Sequence, residues 1–189
     1  MALSTKRALA ESLRNLLTKR TIDKITVKDV VEDCGVNRQT FYYHFHDIYE
    51  LLEWIFEDMI ETLLKDQNGS STWTQGMDAL VSKILEERRL VLNAYHSVSH
   101  EEVSGFIHQW LKPLIADVVE QEAEGLDVSA EDREFVSELF TLGTAGFLTD
   151  WIESRLSEEK LKDLEKLKLA LDGSARLLLM RFDKSSTQI

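Results

Sequence analysis

The chain is predicted to be all-α: an N-terminal three-helix domain, one long connecting helix and a C-terminal helical domain, about nine helices in all. Three observations predict this. Apolar residues recur at helical spacing along most of the chain, most clearly in Ile48, Leu51, Leu52, Ile55, Phe56, Met59, Ile60, Leu63 and Leu64, with Glu and Asp between them. Val, Ile and Thr are scattered rather than alternating, so no strand is expected. Capping residues stand at the expected helix starts: Thr26, Asn37, Asp47, Ser129 and Ser157.

The elements follow in order. Leu9, Leu13, Leu16 and Leu17 give a first helix, at about residues 5 to 19, its apolar face. Thr26 caps a second, with Asp29 three residues on as a variant capping box and Val27, Val30 and Val31 as its stripe. Gly35 ends that helix, where φ is often positive. Asn37 caps a third helix, Arg38 to Phe45, and Val36 with Phe41 forms a hydrophobic staple that fixes its entry angle. Asp47 and Glu50 start the long helix, 48 to 66. QNGSST, residues 67 to 72, is the clear linker. Helices are then expected near 73 to 87, 88 to 97 and 101 to 124, the last kinked by Pro113 and ended by Gly125. Two more are expected at about 130 to 155 and 158 to 182. The domains are therefore 1–47, a connector 48–66, and 67–189.

Residues 26 to 47, TVKDVVEDCGVNRQTFYYHFHD, have the form of a helix-turn-helix, whose second helix enters the DNA major groove. Phe41 and Phe45 are four apart and share the buried face. Arg38, Gln39, Thr40, Tyr42, Tyr43 and His44 are left outward. Arg donates two bonds to guanine, Gln pairs with adenine, and Thr and Tyr hydroxyls reach phosphates. A plain solvated helix with one aromatic face would share some of these features, but not the caps and turn together.

Composition bounds the rest. The net charge of -12 alone argues against nucleic acid, but it is uneven. Residues 1–46 hold eight Lys or Arg and five acids, a net of +3, and the remainder carries -15. A basic head on an acidic body orients on DNA by the head, with steep salt dependence. The single cysteine, Cys34, excludes a disulfide within the chain and fits a reducing, cytoplasmic setting. No apolar run follows Met1 as a signal peptide would, and none approaches a membrane span.

Residues 5–66 resemble the N-terminal domain of TetR-family (TetR/AcrR) transcriptional regulators, on the strength of ITVKDVVEDCGVNRQTFYYHFHDIYELL and its FYYHF core. The runs RQTFYYHFHDIYELLEWIF and GTAGFLTDWIESRL also resemble a subgroup that includes activators of dihydroxyacetone-kinase operons. The resemblance implies roles by position. Thr26 and Lys28 match sites that hold the first motif helix to backbone or base. Arg38, Gln39 and Thr40 match base-reading positions, and Tyr42, Tyr43 and His44 match phosphate or base contacts. Many relatives carry Lys near the start of the next helix, where this chain has His46 and Ile48. A histidine is mostly neutral at pH 7, so affinity is expected to be modest or pH-sensitive.

Two further roles fall to the C-terminal domain. Reading two half-sites needs a dimer. The expected faces are Phe140, Gly143, Phe147, Trp151 and Ile152 on one helix and Leu167, Leu171, Ala175, Leu178 and Leu179 on the last, with Gly143 and Gly146 allowing close approach. The resemblance also implies sensing. Tyr95, His96, Phe106, Trp110, Phe147 and Trp151 are candidates to line a small-molecule cavity, although aromatics at this spacing also serve as plain core. The subgroup implies a protein co-activator instead. His96 and His100 are four apart, but no third ligand lies near in sequence, so no metal is expected, and no cofactor. No local motif suggests catalysis. The reading is a homodimeric regulator of palindromic operator DNA, without a membrane partner. The competing class is an acidic helical interaction module that does not bind DNA specifically.

Overall fold

The computed structural model describes residues 2–66, 72–96 and 98–184, with the side chains of 2, 3 and 63–66 left out. The expected linker at 67 to 72 therefore lies almost wholly outside the described residues, as do the Leu63 and Leu64 side chains. Ten α-helices are described and no strand: α1 Ala2–Leu17, α2 Val27–Cys34, α3 Arg38–His44, α4 Ile48–Asp66, α5 Trp73–Glu86, α6 Arg88–Tyr95, α7 His100–Glu122, α8 Ala130–Glu153, α9 Glu158–Leu171 and α10 Ser174–Phe182, with one 3-10 turn at Ile22–Lys24.

The tenth helix comes from a break in the expected 158–182 helix. Asp172 is extended (φ -60, ψ 118) and Gly173 is left-handed (φ 69). A side chain in that region costs about 1–2 kcal/mol, which glycine avoids. The Ser174 hydroxyl donates back to the Ala170 carbonyl at 2.5 Å. Helix α8 stops two residues short of its expected end because Arg155 (φ 60) and Leu156 (φ 59) turn left-handed and fold the chain back on the Ile152 and Trp151 carbonyls, both at 2.9 Å. Helix α7 runs through Pro113.

The chain divides into two compact units, Met1–Asn68 with Lys83–Ser99, and Gly69–Ser82 with His100–Ile189. In the first, Leu9, Leu13 and Leu17 of α1, Val30 and Val31 of α2, Phe41 of α3 and Leu51 and Ile55 of α4 form the core. Segment 83–99, expected in the C-terminal domain, joins them because Leu90, Val91 and Ala94 of α6 are buried and Asn93 Nδ2 donates to the Leu17 carbonyl at 2.7 Å. In the second unit, α7 and α8 pack along their lengths, and α9 and α10 pack on α8. No helix among the described residues is long and apolar enough to cross a membrane.

Candidate nucleic-acid interface

The turn between α2 and α3 is set by local chemistry. The Thr26 hydroxyl accepts from the Asp29 amide at 3.2 Å, and the Asp29 carboxylate accepts from the Thr26 amide at 2.8 Å. The bonds from the Thr26 hydroxyl and amide hold the Asp29 carboxyl below its ordinary value, and Arg20, at 3.3 Å, lowers it further. Gly35 (φ 70) ends α2, and the Val36 amide reaches back to the Val31 carbonyl at 3.0 Å. Asn37 then caps α3 by accepting the Thr40 amide at 2.8 Å.

Helix α3 is anchored by Phe41, fully buried, and by its C-terminal neighbour Phe45, whose rings lie 6.0 Å apart. The Phe45 ring meets Trp54 of α4 at 6.2 Å, and the Lys6 ammonium of α1 lies 5.1 Å above Phe45 and 5.9 Å from Trp54. This anchoring turns Arg38, Gln39, Tyr42 and Tyr43 to the surface, Tyr43 at 80% exposure. His44 is half-buried, edge-on to Tyr43 at 4.9 Å. The outward row is thus contiguous along one side of a seven-residue helix.

Three expected contacts carry an internal partner as well. The Thr40 hydroxyl donates to the Asn37 side chain at 2.9 Å. Thr26 is engaged in its capping box, and exposed Lys28 pairs with Glu32 at 3.6 Å. At the start of α4, Asp47 accepts the Tyr49 and Glu50 amides at 2.8 and 3.0 Å, while Glu50 closes on the His46 amide rather than on that of Asp47. Ile48 is buried, and Tyr49, 47% exposed, presents a phenol beside the place where a lysine was sought. Tyr49 follows the buried Ile48 in the first turn of α4, a placement that the sequence pattern alone does not single out. Burial raises the Glu53 carboxyl, and Glu57, Asp47 and Glu50 add to the rise.

The remaining candidates are distributed as follows. Half-buried Tyr95 and exposed His96 belong to the first unit. Phe106 and Trp110 of α7, ring centroids 3.8 Å apart, belong to the second with exposed Phe147 and fully buried Trp151. Ser137 Oγ, Thr144 Oγ1 and Trp151 Nε1 are buried on α8 without a hydrogen-bond partner among the described residues. Of the expected dimer faces, Phe140, Trp151, Ile152, Ala175 and Leu179 are buried in their own chain. Trp151 and Leu179 have no exposed surface and Phe140, Ile152 and Ala175 have little, so these side chains pack mainly within their own chain. Gly143, Leu167, Leu171 and Leu178 are half-buried. Large apolar side chains left exposed include Phe135, Leu139 and Leu142 of α8 and Leu177 and Met180 of α10. Helix α8 is apolar nearly all round, and periodicity cannot then separate its inner from its outer face. No cluster of metal-ligating side chains occurs among the described residues.

These features define a helix-turn-helix transcriptional regulator. The family model for bacterial regulatory proteins of the tetR family matches residues 6–55, and that for a transcriptional regulator C-terminal region (TetR_C_8) matches residues 71–173. The second alone spans more than half of the chain, which belongs to the TetR family, whose members are regulators and not enzymes. The dhaKLM operon transcriptional activator DhaS of Lactococcus lactis is 26% identical over 118 residues, 62% of this chain and 63% of that protein. The HTH-type regulator YxbF of Bacillus subtilis is 25% identical over 157 residues, 79% of this chain but 40% of its own length. The chain thus matches less than two thirds of either relative. Among solved structures, the dihydroxyacetone kinase operon activator DhaS superposes with a TM-score of 0.70 at 20% identity, covering 95% of this chain and 98% of that one. RolR in complex with resorcinol gives 0.64 at 22% identity, covering 95% of each chain. A TetR regulator from Streptococcus agalactiae gives 0.61 at 19% identity, covering 90% and 95%. At these identities the likeness establishes the fold.

Proposed function

We propose that the protein binds palindromic operator DNA as a homodimer, inserting α3 of each copy into successive major grooves. The observation that carries this is the exposed row Arg38, Gln39, Tyr42 and Tyr43 on a helix held rigidly by Phe41 and Phe45. Arg38 and Gln39, with Thr40, face bases, and Tyr42, Tyr43 and His44 face phosphates, with Thr26 and Lys28 at the entry of α2. The second copy seats on Phe135, Leu139, Leu142, Leu177 and Met180, with half-buried Gly143 at its edge.

An effector shifts α4 and so changes the distance between the two heads. A small molecule is supported by the buried, unpaired Thr144 and Trp151 polar atoms and by the resorcinol held by RolR. A protein co-regulator is supported by the likeness to DhaS, an operon activator. A thermal-shift screen of metabolites, run beside capture of partners, separates the two. The primary test is selection from a random duplex library at low and moderate salt. An enriched palindrome is expected. Salt-labile binding with no enriched sequence overturns the reading in favour of the acidic interaction module, which the net charge of -12 favours.

A further inference from the structure

Glu87 is the corner between α5 and α6. Its amide closes α5 on the Lys83 carbonyl and its own carbonyl receives the Val91 amide of α6, each at 3.0 Å. A carboxylate at this position ordinarily caps the following helix. Here it makes no capping bond. It accepts Arg14 Nη1 of α1 at 3.0 Å, with the Lys83 ammonium at 3.6 Å. The other arm of the same guanidinium, Nη2, donates to the Ile55 carbonyl in the middle of α4 at 3.3 Å. One side chain of α1 therefore ties the α5–α6 corner to α4. Further along, Asn93 of α6 fastens to the end of α1, and Ser12 of α1 donates to the Val30 carbonyl of α2 at 3.0 Å in a buried bond. The Arg14 and Glu87 side chains are 20% and 28% exposed, so solvent screens this pair less than a surface pair.

Helix α5 begins in one compact unit and ends in the other, since the boundary falls between Ser82 and Lys83. The corner is thus where α5 hands over to the DNA-reading unit. We propose that the Arg14–Glu87 pair is the positioning contact through which segment 83–99 and the DNA-reading helices set one another's state. This rests on the reading of α3 as the DNA-recognition element. The pair acts through α1 and α4 and itself touches no base. Coupling of this kind is reciprocal, so DNA held at α3 must be felt at α6.

The experiment uses the full chain and a duplex taken from the library selection. Amide hydrogen exchange of residues 88–95 is measured free and DNA-bound, in the native sequence, in Glu87→Gln, and in the exchanged pair Arg14→Glu with Glu87→Arg. In the native chain DNA is expected to slow α6 exchange by about 5-fold or more, the lower end of ordinary coupling. Glu87→Gln keeps the shape and polarity but loses the charge, and is expected to bind DNA without slowing α6. The exchanged pair restores the slowing. If Glu87→Gln shows the native slowing, or if the native chain binds DNA with α6 unchanged, the proposal is overturned while DNA recognition stands. If the native chain binds no duplex, the DNA reading itself fails and the proposal falls with it.

Discussion

Gln39 and Tyr42 are three apart on α3 and both exposed, yet their tips suit different partners. An amide carries a donor and an acceptor in the pattern of an adenine edge, whereas a phenolic hydroxyl suits a phosphate oxygen. Gln39→Ala is expected to change sequence preference, at about 1–3 kcal/mol for the lost base contact. Tyr42→Phe is expected to weaken all duplexes alike. Parallel library selections on the two variants check this, and an unaltered preference in Gln39→Ala removes the assigned role. Acidity gives a second prediction at this scale. The Glu53 carboxyl lies above its ordinary 4.5, through burial and then Glu57, Asp47 and Glu50. Between that raised value and 4.5 the folded chain holds a proton that the unfolded chain has released. Stability should therefore climb as pH falls through the raised value and level off only below the ordinary 4.5. Thermal midpoints should show this climb in the native chain and lose it in Glu53→Gln. Asp29 has the opposite sign. Its contribution is complete above its ordinary 3.8 and is lost only as pH falls through its lower folded value.

At the scale of elements, the two glycines Gly173 and Gly105 separate conformation from packing. A methyl group added at either meets nothing within 4 Å. Gly173 has φ +69 between α9 and α10, whereas Gly105 lies in regular helix on the exposed side of α7. Gly173→Ala is expected to destabilise by about 1–2 kcal/mol and Gly105→Ala to stabilise by about 0.5–1 kcal/mol. Denaturant unfolding of both variants measures the difference, and equal effects would remove the backbone argument. The same contrast explains what the sequence made legible. The motif at 26–47 could be read because Thr26, Gly35 and Asn37 act on amides within a few residues, so the signal is local. The Asp172-Gly173-Ser174 break was equally local, but the apolar pattern running through it masked the turn. The placement of segment 83–99 was not legible, because Arg14 and Glu87 lie 73 residues apart and only the folded chain brings them together. Nor was the outward face of α8, where both sides are apolar and burial alone decides.

At the scale of the whole molecule, charge and apolar surface divide the labour. The first 46 residues carry +3 and the remainder -15, so the charge that suits a phosphate backbone lies in the segment that holds α1 to α3. The second unit leaves Leu139 at 48%, Leu142 at 57% and Leu177 at 66% exposure. Leu142→Glu is expected to yield a folded monomer that no longer holds an enriched palindrome, and analytical ultracentrifugation with a gel shift reads both. A dimer that retains full operator affinity after this change would place the interface elsewhere. The bare leucines also bear on gene dosage. If only paired chains occupy an operator, and single chains predominate when the protein is scarce, occupancy then follows the square of protein concentration. Halving synthesis cuts it about fourfold, by mass action alone. The strip Phe135, Leu139 and Leu142 would then make the regulator a threshold device, silent in a cell that makes a little of it and decisive in one that makes somewhat more.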